Sequence, residues 1–196
     1  MHVKASNPVD TLPAAEIHPL IQAYFEFNHL KQLYRQGWLR RGIPDQRCES
    51  VAEHTFAVAV LGLLLCDSAF PKLNSQRVLR MALLHDFGEI YTGDIIPSDP
   101  ISLEEKHQLE QEAIQQVLGE LPGAEDYLAL WGEFESGETP EAQLVRQLDR
   151  LEMALQASVY EHQGLGDLSE FYATARAALS DPGLRQILDE LEHLRT

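Results

Sequence analysis

The stretch SVAEHTFAVAVLGLLLC, Ser50 to Cys66, decides the fold. It opens on a reciprocal capping box: Ser50 and Glu53 stand three apart, so each side chain can satisfy a backbone N–H that the first helical turn leaves free. From Val51 onward apolar residues occupy nearly every side of a helix. That pattern predicts a helix buried at the centre of a domain.

Working outward, the other segments also carry helical periods. Towards the N-terminus, Leu20, Ile21, Tyr24, Phe27, Leu30 and Tyr34 recur at steps of three and four from Ile17, predicting an amphipathic helix with one buried stripe that stops near Gly37. Trp38 to Cys48, broken by Gly42 and Pro44, reads as a loop carrying Arg40, Arg41 and Arg47. Residues 1–15 are polar and proline-punctuated, which predicts a flexible leader before one helical domain over 16–196.

Beyond Cys66, Asn74 or Ser75 caps a helix through Val78, Met81, Ala82 and Leu84 to His85, and DFGEIYTGDIIPSDP then predicts a turn-rich loop. A second capping box, Ser102 with Glu105, opens a polar, solvent-facing helix over Glu104–Leu118. Ala124–Phe134 is shorter, and Thr139 with Pro140 starts a long helix to about His162. Ser169–Leu179 and Pro182–Leu194 close the chain with helical spacing. No run alternates with period two and no segment repeats, so the expectation is an all-α, single-domain bundle.

Composition limits the function. The 196 residues, 44% of them hydrophobic, suffice for a core without staples. Fifteen Lys and Arg against 31 Asp and Glu give a formal charge of −16, which repels long nucleic acid and anionic membrane surfaces. A small anionic substrate stays compatible, because a metal ion and a few arginines can invert the sign locally. Cys48 and Cys66 have no CxxC spacing and suit buried thiols in a reducing cytoplasm. MHVKASNPVD lacks the apolar run of a signal peptide, and Val58–Cys66 is short for a bilayer, so a cytoplasmic location without a membrane partner is expected.

Four polar residues stand where this architecture should bury apolar ones. His54 lies in the first turns of the most apolar segment, His85 and Asp86 follow LRMALL, and Asp149 sits among Val145, Leu148, Glu152 and Met153. An ionised carboxylate near an apolar face costs several kcal/mol, on the order estimated for buried charges, unless a cation compensates it. A shared divalent metal would serve all four, and two imidazoles with two carboxylates suit Mn, Fe, Co, Ni or Zn. Taken singly, each has a plainer role: a hydrogen-bonded core histidine, a chance HD pair, or an Asp149–Arg150 ion pair on one helix.

The order His54, His85-Asp86, Asp149 resembles the H…HD…D signature of the HD-domain metal-dependent phosphohydrolases, an all-α superfamily. GWLRR, RCESVAEHT, LLHDFGEIYTGDI and VRQLDRLEMALQASVYE are similar to segments of the branch containing bacterial 5′-deoxynucleotidases and their eukaryotic relatives, over roughly residues 24–162. The resemblance implies that His54, His85, Asp86 and Asp149 hold the metal, that Glu89 is the acid/base residue, and that Asp94 of the GD step belongs to the catalytic set. It also implies a homodimer, for which the apolar C-terminal helices could supply an interface.

Position 37 departs from the pattern, because the bacterial enzymes have arginine immediately before the tryptophan where this chain has Gly37. Arg41 and Arg47 then become the candidates to grip phosphate by bidentate hydrogen bonds, with Trp38 walling the sugar or base. Trp38 could instead cover the core, and either arginine could serve a surface ion pair, as Arg40 does on this reading. The expected activity is release of phosphate from deoxynucleoside 5′-monophosphates. The rivals are hydrolysis of another nucleotide, a cyclic diester or a triphosphate, and a non-catalytic module that the metal only stabilises.

Overall fold

The structure is a computed structural model that describes residues 2–195. Among these residues there are ten α-helices and no sheet, only two isolated antiparallel bridges, Val3 with Leu33 and Tyr34 with Ser50. The all-α expectation is met.

The helices follow the capping chemistry closely. α1 spans Pro19–Phe27, α2 Gln36–Arg40, α3 Val51–Ser68, α4 Ser75–Leu84 and α5 Glu89–Thr92. α6 covers Leu103–Leu118, α7 Ala124–Ser136, α8 Pro140–His162, α9 Ser169–Ala178 and α10 Pro182–His193. Ser50 N donates to Glu53 Oε2 at 2.6 Å and Glu53 N to Ser50 Oγ at 3.3 Å, so the first capping box closes in both directions. Asn74 caps α4, Ser102 caps α6 and Thr139 caps α8, the last with Pro140 in the first turn.

The chain divides into two compact units. The first holds residues up to Arg40, Pro44–Thr55 and Leu84–Gly132; the second holds Arg41–Ile43, Phe56–Leu83 and the chain from Glu133 onward. In the first, Ala23, Leu30, Leu33, Val51, Ile90, Ile114, Val117, Leu118 and Trp131 form one core cluster. In the second, α8 packs on α9 and α10, and Gly62 of α3 approaches Val78 and Leu148 side chains so closely that a Cβ there would lie 3.1 and 3.6 Å from them.

Three expectations need correction. The helix expected from Ile17 to Gly37 breaks into α1, a 3₁₀ turn over Asn28–Lys31 and α2, and Trp38–Arg40 of the expected loop are helical. Its buried face is also rotated: Ala23, Glu26 and Leu30 point inward while Leu20, Ile21 and Tyr24 are exposed. α3 is not buried all round. Val51, His54, Thr55, Val58, Ala59, Gly62 and Cys66 face inward, whereas Phe56, Val60, Leu63 and Leu64 form an exposed apolar stripe. An apolar residue on every side reveals no preferred face, so only tertiary packing could choose one. α6 is not wholly solvent-facing either, because Ala113, Ile114, Val117 and Leu118 enter the core.

Val51–Ser68 as a whole helix has the length and hydropathy of a membrane span, which the shorter run Val58–Cys66 did not suggest. Its inward face includes His54 and Thr55, so polar groups share the side given to the core. The segment read as a flexible leader makes defined contacts. Lys4 N donates to Gln32 O at 2.7 Å, and Gln36 Nε2 donates to His2 O at 2.8 Å.

Candidate metal centre

α3 delivers His54 from its first turn, and α4 ends at Leu84 just before His85 and Asp86. Both histidines are buried, and Asp86 is mostly so. Their imidazole rings meet edge to face, 5.5 Å between centroids. Nε2 of His85 lies 3.2 Å from Asp86 Oδ2, and Nε2 of His54 lies 3.8 Å from the same oxygen. Two ring nitrogens therefore converge on one carboxylate oxygen. That oxygen is buried and receives no hydrogen bond of regular geometry, an expensive condition for an ionised group. A divalent cation would supply the missing charge, and the N, N, O donor set suits a borderline transition metal.

Burial alone would raise the Asp86 carboxyl, but His85, then Arg35 and His54, hold it well below the usual carboxylate range. Asp86 is thus kept as an anion, the form that ligates a metal. Asp149 lies in the second unit on α8, its side chain mostly buried, with Arg150 Nε 3.6 Å from Oδ2. The intrahelical ion pair considered for Asp149 is therefore present.

Glu89 follows Asp86 by one tight turn, in which Glu89 N donates to Asp86 O at 3.0 Å, and it begins α5. Its carboxyl is buried and raised well above the ordinary glutamate value, first by burial and then by Asp86 and Asp94. Oε2 of Glu89 receives no hydrogen bond. Neighbouring carboxyls pushed in opposite directions are how one site sets an acid and a base close together.

Arg35 is the functional residue that the sequence did not reveal. Its Nη1 lies 2.9 Å from Asp94 Oδ1, 3.9 Å from Glu89 Oε1 and 4.0 Å from Asp86 Oδ2. A buried guanidinium thus faces three carboxylates and tempers their mutual repulsion. The available signal was its place just before the helix-breaking Gly37, but in a continuous helix Arg35 reads as one more solvent-facing residue. Lys106 was also missed. It pairs with Glu110 at 2.8 Å and is drawn electrostatically to Glu89 and Asp86.

Asp94 is buried and committed on both oxygens: Oδ1 accepts from Arg35, and Oδ2 accepts from Gln36 N at 2.5 Å, at the start of α2. Gly93 beside it has φ +75, a turn that L side chains rarely adopt. Trp38 does not present an open face. It is 1% exposed, and its Nε1 donates to Glu49 Oε1 at 2.7 Å, as the reading of a core-covering tryptophan anticipated. Arg41 is exposed and pairs through Nε and Nη2 with both oxygens of Glu170. Arg40 pairs with Asp99 and Ser98, the expected surface role. Arg47 is exposed.

A family model described as HD domain matches residues 27–187. The chain is a member of the HD-domain family. It is accordingly a metal-dependent phosphohydrolase. The 5′-deoxynucleotidase HDDC2 of Homo sapiens is 39% identical over 181 residues, covering 90% of this chain and 86% of the relative. Its counterpart from Bos taurus is 38% identical over 192 residues, covering 96% and 91%. Among solved structures, a conserved hypothetical protein from Pyrococcus furiosus superposes with TM-score 0.76 at 32% identity, covering 89% of this HD-domain chain and 99% of that one. A predicted metal-dependent phosphohydrolase from Magnetospirillum magnetotacticum superposes with TM-score 0.67 at 27% identity, covering 89% and 90%.

Proposed function

We propose that this HD-domain protein is a 5′-deoxynucleotidase, hydrolysing deoxynucleoside 5′-monophosphates to nucleoside and inorganic phosphate. The observation that carries the reading is the buried Glu89 carboxyl, three residues after an Asp86 oxygen on which the His54 and His85 ring nitrogens converge. The relatives named 5′-deoxynucleotidase, which match this chain over most of its length, support the substrate class.

His54, His85, Asp86 and Asp149 are the proposed ligands of one divalent ion, with Mn, Co, Fe, Ni and Zn all compatible with the donors. Bound there, the ion would supply Lewis-acid polarisation of the phosphate and would lower the pKa of a water. Glu89, buried one turn past Asp86, would act as the general acid towards the departing O5′. Arg35 balances Asp86, Glu89 and Asp94, while Asp94 anchors Arg35 and the start of α2. On this reading Asp94 serves the catalytic set by holding Arg35 in place. Arg41 and Arg47 are the arginines proposed for phosphate; Arg41 is engaged on both oxygens of Glu170, a pair that a bound phosphate would have to displace. Trp38 shapes the site from within, by holding Glu49, rather than by stacking on a base.

The test is phosphate release. Purified protein with Mn²⁺ or Co²⁺ should release inorganic phosphate from deoxynucleoside monophosphates, and a chelator should stop it. Turnover that survives exhaustive chelation, or products other than nucleoside and phosphate, would sink the reading.

We further propose a cytoplasmic homodimer with no nucleic-acid or membrane partner. The charge of −16 disfavours polyanions. The exposed stripe Phe56, Val60, Leu63 and Leu64 supports α3 as the interface in place of the C-terminal helices, since one apolar face could meet its own copy across a two-fold axis. Sedimentation of Leu64→Glu should give a monomer where the parent gives a dimer; a monomeric parent rejects the proposal.

A further inference from the structure

α5, which carries Glu89, has almost no stability of its own. It is four residues long, far below the length at which a helix persists unaided. Gly88 at its N-cap offers no side-chain hydrogen bond, and Gly93 ends it at φ +75. Its placement must be imposed from outside. On one side α6 comes so near that a Cβ on Gly88 would meet Glu110 Cβ at 2.5 Å.

On the other side stand two polar contacts from the segment of α1 and the following 3₁₀ turn. His29 Nδ1 lies 2.6 Å from Ile90 O, and since a carbonyl only accepts, the imidazole donates. Tyr91 OH donates to Glu26 Oε1 at 2.8 Å. Glu26 is 1% exposed, its Oε1 also accepts from Gln22 Nε2 at 3.2 Å, and its Oε2 has no hydrogen-bond partner. A buried carboxylate with one oxygen unsatisfied is costly to the fold, and a neutral apolar residue would fill the site more cheaply. Burial and then the Glu26 bond hold the Tyr91 hydroxyl above its ordinary value, so it remains a donor through the neutral range.

We propose that His29 and Glu26 are positioning residues that clamp α5 at the two positions after Glu89 and so fix the acid against the departing oxygen. The proposal rests on the reading of Glu89 as the general acid. The clamp acts on α5 itself, through the Ile90 carbonyl and the Tyr91 hydroxyl. Small displacements of an acid matter, because misplacement of about 1 Å can cost roughly a hundredfold in rate.

The experiment compares His29→Ala, His29→Asn, Tyr91→Phe and Glu89→Gln in the full chain, with dAMP and Mn²⁺, together with hydrogen exchange of the amides of residues 89–94. His29→Ala and Tyr91→Phe should speed exchange in α5 and lower kcat about tenfold or more at unchanged KM and metal content, as a displaced acid does. His29→Asn, which keeps an N–H near the Nδ1 position, should restore both. Unchanged exchange in α5 overturns the clamp, whatever the turnover. Faster exchange with unchanged kcat, while Glu89→Gln loses its rate, shows a merely structural contact and also overturns it. Full activity in Glu89→Gln instead rejects the acid reading and with it the clamp's catalytic purpose. If the parent protein leaves dAMP intact, the substrate reading fails, and the exchange data alone decide whether His29 and Tyr91 hold α5.

Discussion

The segment from His85 to Asp94 and the segment from Glu161 to Arg195 are built on opposite principles. In the C-terminal segment the charges are paired near the surface: Arg195 with Glu161 and Asp167, Arg176 with Asp189 and Glu192. Burial would raise Glu161, yet the Leu168 N–H, Arg195 and Tyr172 pull it below its ordinary value. Around α5 the carboxylates are buried together and share one guanidinium, and Glu89 is pushed up. One region uses charge for cohesion and the other tolerates its cost. Such tolerance in a short, glycine-flanked helix marks where selection has favoured chemistry over stability.

The largest expected effect lies in the first region. Asp86→Asn should lose metal, read by plasma emission, and turnover by at least about a thousandfold, the scale on which such ligand and charge contributions act. Wild-type metal content in that variant would break the contrast. A smaller effect, and of the opposite kind, is expected from Leu188→Ala in α10. That buried leucine should cost about 2–5 kcal/mol in denaturant unfolding while kcat per folded molecule stays unchanged. If its kcat falls, α10 is not merely scaffold.

The pH dependence sharpens the same comparison in chelated protein. Glu161, depressed when folded, contributes stability above the ordinary glutamate pKa that is lost as pH falls through its folded value. Glu89, raised when folded, contributes in the reverse sense: its stabilisation is complete at acid pH and is lost as pH rises through its folded value. Carbon-detected NMR titration of the two carboxyls should separate them in these directions, and coincident midpoints would remove the distinction. The smallest effect concerns Cys48, whose thiol is pushed up to about 12, first by burial and then by Glu49. With roughly one thiol in ten thousand ionised at pH 8, it should resist iodoacetamide in the native state, as mass spectrometry can show.

Much of the chain was legible before any coordinates. Caps and prolines placed α3, α4, α6 and α8 because such signals act within one helical turn, through backbone groups next to the residue itself. His54, His85, Asp86 and Asp149 stood out for a related reason: a polar residue in an apolar period is conspicuous locally, whereas Glu89 was marked only by the resemblance to the family. The fate of Arg35 was not legible. Its meaning depends on Asp94, fifty-nine positions away, and on α1 ending early enough to turn it inward.

Sequence alone therefore determined the all-α class, the caps and the pair of His-Asp positions, since each rests on contacts between near neighbours. Tertiary structure alone decided which face of α3 is left open, that Arg41 is engaged by Glu170 and Trp38 by Glu49, and that Glu26 and His29 reach α5. These are choices among partners distant along the chain. Burial and electrostatics settle them only when the helices pack, because the free energy of a charge or an apolar face depends on what surrounds it.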